Sequence, residues 1–207
     1  MRDGVALDTG ALWWLKARRA GVLCAALVAF ALLVLAFQGG AAVPVLSLPA
    51  SASVSVPLML FTPVPVVAAL AWCLDSRLTE AEDVAVRPVW AHDSALVLAA
   101  MATAAGTGLA VSQLAGSGAA GASGTGRDAA FLAGLVLCLR PLAGQAAVMA
   151  APSWLALVVF FGFSPSRDPY PWTVVGQPAG SPSSLVAAAL AIAVGLAVLI
   201  RTSRNAA

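Results

Sequence analysis

Residues 129–163 read AAFLAGLVLCLRPLAGQAAVMAAPSWLALVVFFGF, 35 residues interrupted only at Arg140–Pro141. As a single helix the stretch would rise about 52 Å, against a hydrocarbon core of ~30 Å. One crossing cannot use that length. The stretch therefore reads as a tight helical hairpin, a fourth span over 127–142 and a fifth over 144–163. The fourth is short and must draw on Arg127 or Asp128 as its cap, or thin the membrane locally. Whether these residues cross once or twice decides between five spans and six for the whole chain.

Composition makes a membrane the setting. Of 207 residues, 61% are hydrophobic and 10% charged, where a soluble domain carries about 25% charged residues. Lipid removes the need for a charged surface. The net charge of +2 is too small to suggest a nucleic-acid partner, and no basic cluster is interleaved with aromatics as such binding needs.

N-terminal to the hairpin, Gly116–Gly126 (GSGAAGASGTG) is a flexible loop and Ser94–Ala115 the third span. Ala102, Gly106 and Ala110 repeat at i+4 there, a small-residue face for close helix packing. Before it lies the longest charged island, Asp75–Asp93 (DSRLTEAEDVAVRPVWAHD). It holds five of the nine acidic residues and the only histidine, His92. Thr79 caps a short helix with Glu80 and Glu82 in its first turn, and Pro88 stops it near Val86. The island is a short cytoplasmic helix, read either as a docking knob or as a solvated connector.

The second span, Val54–Leu74, has Pro57 in its first turn and Pro63 and Pro65 inside, where each removes a hydrogen bond and forces a kink. That kink either opens carbonyls to a solute path or serves packing. Gln38–Ser53 is an external loop. Gly21–Phe37 is the first span, read as a retained anchor because its apolar run exceeds a usual signal-peptide core. In front of it Trp13 and Trp14 adjoin Lys16, Arg18 and Arg19, the pattern of a segment in the membrane interface. That segment either anchors the first span or helps dock a partner.

C-terminal to the hairpin, 164–181 (SPSRDPYPWTVVGQPAGS) is long for a connector. Tyr170, Trp172 and four prolines mark an ordered, aromatic interfacial lid outside the membrane. Ser183–Ile200 is the sixth span, with Ala187, Ala191 and Gly195 along one face. The whole chain, 1–207, is one transmembrane domain, an all-α helical bundle of six transmembrane helices with both termini cytoplasmic. In that topology nine basic residues lie inside (Arg2, Lys16, Arg18, Arg19, Arg77, Arg87, Arg140, Arg201, Arg204) and two outside (Arg127, Arg167), a clear positive-inside asymmetry. Five spans would put Arg201 and Arg204 outside.

Enzyme chemistry finds no foothold. The only lysine is Lys16, so no phosphate-binding GxxxxGK[ST] loop exists. Ser123 lies outside and His92 inside, which rejects a serine–histidine dyad, and no HExxH motif occurs. Cys24, Cys73 and Cys138 fall near the inner ends of their spans at a depth similar to His92; three thiolates and an imidazole suit zinc, but no ligand spacing supports it. No cofactor is expected. No charge lies at mid-membrane, which counts against proton-driven transport.

In layout the chain resembles the six-span permease subunit of ABC exporters of the type-two permease class. TGALWWLKARRA stands where that class has an interfacial helix, TEAEDVAV where it has a coupling helix, and SRDPYPWTVVGQPAG where it has a structured external segment. The Ala- and Gly-rich composition is similar to that of actinobacterial membrane proteins. The resemblance implies a multi-pass protein of the bacterial plasma membrane and a dimer of permeases bound to ATP-binding subunits. It places partner-coupling residues near Glu80, Glu82, Asp83 and Arg87. The expected cargo is a hydrophobic or amphipathic solute; the alternative is a non-transporting membrane assembly or immunity protein.

Overall fold

A computed structural model describes residues 19–48, 52–76, 89–115, 121–164, 166 and 168–205. Trp13, Trp14, Lys16 and Arg18, and the island residues Glu80, Glu82, Asp83 and Arg87, lie outside the described residues. The elements are α1 (Ala20–Phe37), strands β1 (Ala42–Ser47) and β2 (Ala52–Pro57), α2 (Val64–Asp75) and α3 (Val89–Ala115). They continue with α4 (Thr125–Ala143), α5 (Ala150–Phe161) and α6 (Pro182–Asn205). Short 3-10 turns occupy Leu58–Phe61, Ala122–Gly124, Gly144–Met149 and Val174–Gly176. The chain is thus mostly helical rather than wholly so. Among the described residues, five segments are long and apolar enough to cross a membrane: Ala20–Phe37, Leu58–Asp75, Trp90–Leu114, Ala122–Phe161 and Pro182–Ser203. Val28, Leu32 and Leu190 stand exposed on outward faces, as lipid-facing helices require.

The 40-residue segment Ala122–Phe161 folds back on itself. Phe131 and Trp154 pack in a tilted pair with ring centroids 5.3 Å apart, whereas 23 residues of straight helix would part them by about 34 Å. The reversal falls at Gly144, whose φ of 55° and ψ of −129° suit a residue without a Cβ. Pro141 sits in the last turn of α4 and does not end it.

Two readings change in the stretch 38–65. The expected external loop is an antiparallel hairpin, Ala42 opposite Pro57 through Ser47 opposite Ala52. Val54 and Val56 alternate onto the buried face, the period of a half-buried strand. A span beginning at Val54 is therefore replaced by a strand to Pro57, and helix α2 starts ten residues later than expected, at Val64. Pro63 and Pro65 do not kink a helix interior. Pro63 caps α2 and Pro65 lies in its first turn, where no i−4 carbonyl awaits an N–H. The preceding turn is closed by Thr62, whose Oγ1 donates to the Met59 carbonyl at 2.8 Å.

α4 is the central helix, packed against α2, α3, α5 and α6. Its contact with α6 uses small residues. A Cβ at Gly134 would run into the backbone of Ala191, and one at Gly195 would meet the Gly134 carbonyl at 2.9 Å. On α3 the packed side is not Ala102, Gly106 and Ala110, which are exposed, with open space around Gly106. It is the side of Ala104, Ala105 and Gly108, against Ala122, Thr125 and Gly126 at the start of α4.

The contacts also fix directions. Cys73 Sγ reaches the Arg19 carbonyl at 3.8 Å, joining the end of α2 to the start of α1. Gly121 lies by Met59, joining the starts of α4 and α2. Leu48 N donates to the Phe160 carbonyl at 3.1 Å, joining the β-hairpin to the end of α5. The bundle therefore has a hairpin end and an opposite end, and Asp75 and Arg140 meet at the opposite end.

Candidate functional site

At the hairpin end, the segment between α5 and α6 is ordered by Arg127. Its Nε donates to Asp128 Oδ1 at 2.9 Å. Nη1 donates to the Pro178 carbonyl at 2.8 Å and to Ser184 Oγ at 2.7 Å, and Nη2 to the Gln177 carbonyl at 2.9 Å. Arg127 and Asp128 are both buried, so the guanidinium fork makes its bonds in a dry site, where they are strong. One residue of α4 thus clamps the chain on both sides of the entrance to α6. Inside the clamp, Thr173 Oγ1 donates to the Tyr170 carbonyl at 2.7 Å and Gln177 Nε2 to the same carbonyl at 2.9 Å.

The aromatic residues complete this cap. Tyr170 stacks on Trp172 at 6.5 Å, and Trp172 meets Trp154 edge-on at 6.1 Å. Val174 and Val175 are buried beneath. Tyr170 and Trp172 are therefore part of an ordered cap, and its order rests on a buried arginine that the sequence offered only as a helix cap.

At the opposite end a cavity of about 620 Å³ opens beside α2. Among the described residues it is lined by Ala68, Ala71, Trp72, Asp75 and Ser76 of α2, and by Gln145 and Val148 beyond the Gly144 reversal. Asp75 Oδ1 accepts from Arg140 Nη2. This partly buried ion pair ties α2 to α4 behind the cavity wall. A smaller space of about 220 Å³ lies on the arginine's other side, between Leu137, Arg140, Pro141, Leu199 and Thr202.

The sequence grouped Asp75 with the charged island and Arg140 with the inner cations, and did not pair them. A signal was present: each is the one charge in the last turn of an apolar helix, and their signs are opposite. Arg127 and Asp128, adjacent and opposite at the start of a buried helix, carried a similar signal. The other sequence candidates do not assemble. Cys24 is exposed and Cys73 buried, and among the described residues no three His, Cys, Asp or Glu side chains gather as metal ligands would.

The fold and the cavity together define a multi-pass helical membrane protein with an ordered cap at one end and an amphipathic cavity at the other. Compared with protein-family models, curated proteins and solved structures, the chain matches none.

Proposed function

We propose that this chain is the membrane permease subunit of an ABC-type transporter of the bacterial plasma membrane. It would export a hydrophobic or amphipathic solute using a separate ATP-binding subunit, and it contributes no catalytic residue of its own. The observation that carries the reading is the cavity beside Asp75, whose volume of about 620 Å³ suits a small-molecule site. Its wall runs from alanines to a carboxylate.

The same reading assigns six crossings, with both termini on the cytoplasmic side. It is supported by the fold-back at Gly144 and by helix starts and ends that alternate between the two ends of the bundle, and it agrees with the nine-to-two division of basic residues that six crossings give in the sequence. The Asp75 end is then cytoplasmic and the Arg127 cap external. In the sequence, Glu80, Glu82, Asp83 and Arg87 follow within twelve positions of Asp75 on the cavity wall, and this reading assigns them the coupling contact to the ATPase.

Two measurements test the reading. Purification of the tagged protein from its host in mild detergent should bring down a stoichiometric ATP-binding subunit. Reversal of Glu80, Glu82 and Asp83 to lysine should separate ATP hydrolysis from transport without unfolding the bundle. No ATP-binding partner, under conditions where other membrane complexes survive, would turn the assignment to a non-transporting assembly or immunity protein.

A further inference from the structure

We infer that the cavity beside Asp75 takes a single-chain amphiphile with a cationic amine headgroup, its tail along Ala68, Ala71 and Val148 and its ammonium on the Asp75 carboxylate. Only the description of this amphiphile as cargo rests on the proposed transport function; the binding site itself does not.

The residues on the wall are ordered by polarity. Ala68 and Ala71 of α2 and Val148 across from them make one end apolar, and Asp75, Ser76 and Gln145 make the other polar. Ala68 to Asp75 is seven residues of helix, a wall about 10 Å long, which is the length of part of one alkyl chain.

Hydrogen bonding decides the headgroup. Ser76 Oγ already donates to the Trp72 carbonyl at 2.9 Å, so towards the cavity it offers lone pairs. Asp75 uses Oδ1 for Arg140 and keeps 22% of its side chain accessible; a carboxylate has room for further donors. Gln145 adds an amide group, with one carbonyl acceptor and an NH2 donor. The polar end is therefore rich in acceptors. Arg140, the cation paired with this carboxylate, borders the other spaces rather than this one. An anionic headgroup would meet Asp75 with no cation on the described lining. An ammonium brings three donors and a positive charge to that oxygen cluster, in charge-assisted bonds that are strong where water is scarce. Trp72, exposed at the rim, adds an aromatic face for a cation.

The test uses the full chain in lipid nanodiscs and two photoprobes of equal length, a diazirine-tailed dodecylamine and the corresponding dodecyl sulfate, with adducts mapped by mass spectrometry. The amine should label the Ala68–Trp72 and Val148 peptides at least fivefold more than the sulfate. Asp75→Asn should cut amine labelling about tenfold. Because that variant also removes the carboxylate paired with Arg140, Ala68→Phe provides a second route: it fills the apolar end, leaves the ion pair intact and should abolish labelling there. Equal labelling by both probes, or amine labelling unchanged in Ala68→Phe, overturns the inference. Preferential labelling by the sulfate overturns the headgroup class while leaving the transport proposal standing. Conversely, an absent ATP-binding partner removes the transport proposal and leaves the amine site testable as it is.

Discussion

Replacing Arg127 with methionine should release the cap at the hairpin end of the bundle. The arginine and Asp128 expose only 4% and 9% of their side chains. Methionine leaves the Asp128 carboxylate buried without its counter-charge. Breaking a buried pair in this way costs about 3–5 kcal/mol. The carbonyls of Gln177 and Pro178 lose their donors as well, but they belong to a segment that can turn towards water. Opening of the cap is thus the route by which the protein relieves the loss. At about 1.4 kcal/mol per tenfold, the opening equilibrium should shift by roughly two to three and a half powers of ten.

Amide hydrogen exchange reads this directly. The N–H groups of Thr173, Val174 and Gly176 donate to the carbonyls of Tyr170, Trp172 and Thr173 at 2.9–3.0 Å, and each should exchange faster by that factor in nanodiscs. A second variant, Arg127→Met with Asp128→Leu, removes the stranded carboxylate. It should regain most of the thermal stability, because replacing both members of a buried pair is often neutral, and with only the donors to Gln177 and Pro178 missing the cap should exchange faster than wild type but more slowly than in Arg127→Met. Exchange of the three amides within threefold of wild type in Arg127→Met would refute the claim that this clamp orders the cap.

Two further substitutions probe packing. Gly134→Leu should lower the melting temperature and the yield of folded protein, because its side chain meets the Ala191 backbone, whereas Gly106→Leu should be tolerated in open space. Overpacking costs about 1–3 kcal/mol, and fluorescence-detected size exclusion after heating distinguishes the two; equal losses would contradict the α4–α6 contact. Ser47→Ala should be neutral or stabilising by up to ~1 kcal/mol, since its fully buried Oγ has no hydrogen-bond partner and a polar atom buried without one is a cost. A clear fall in melting temperature would mean that this hydroxyl makes a bond.

The helices of the bundle were legible because apolar length leaves little choice in lipid: every backbone donor must be met within its own helix or a closed sheet. Ala20–Phe37, Trp90–Leu114 and Pro182–Ser203 needed only their runs of apolar residues. The face of α6 bearing Ala191 and Gly195 was legible too, because small residues at i+4 let helices approach closely. The same rule misdirected the reading on α3. Spacing marks a face that can pack, and Ala102, Gly106 and Ala110 share a helix with an alternative face through Ala104 and Gly108. Only neighbours decide between them. The β-hairpin was hidden for a similar reason. Pro44, Pro57 and the glycines before it favour a loop locally, and the valine alternation gains its meaning only when Val54 and Val56 have a core to enter.

By itself the sequence determined that the chain is a membrane protein, where its main apolar helices run, and that Tyr170 and Trp172 mark an ordered segment. These follow from composition and local period, which need no partner. Tertiary structure alone decided the pairs: Arg127 with the carbonyls of Gln177 and Pro178, Asp75 with Arg140, and Gly134 with Ala191. It also decided that Pro63 and Pro65 begin a helix. The physical reason is that an ion pair or a close helix contact depends on separation in space, and α4, which joins all three pairs, sets those separations for residues roughly 50–65 positions apart in the chain.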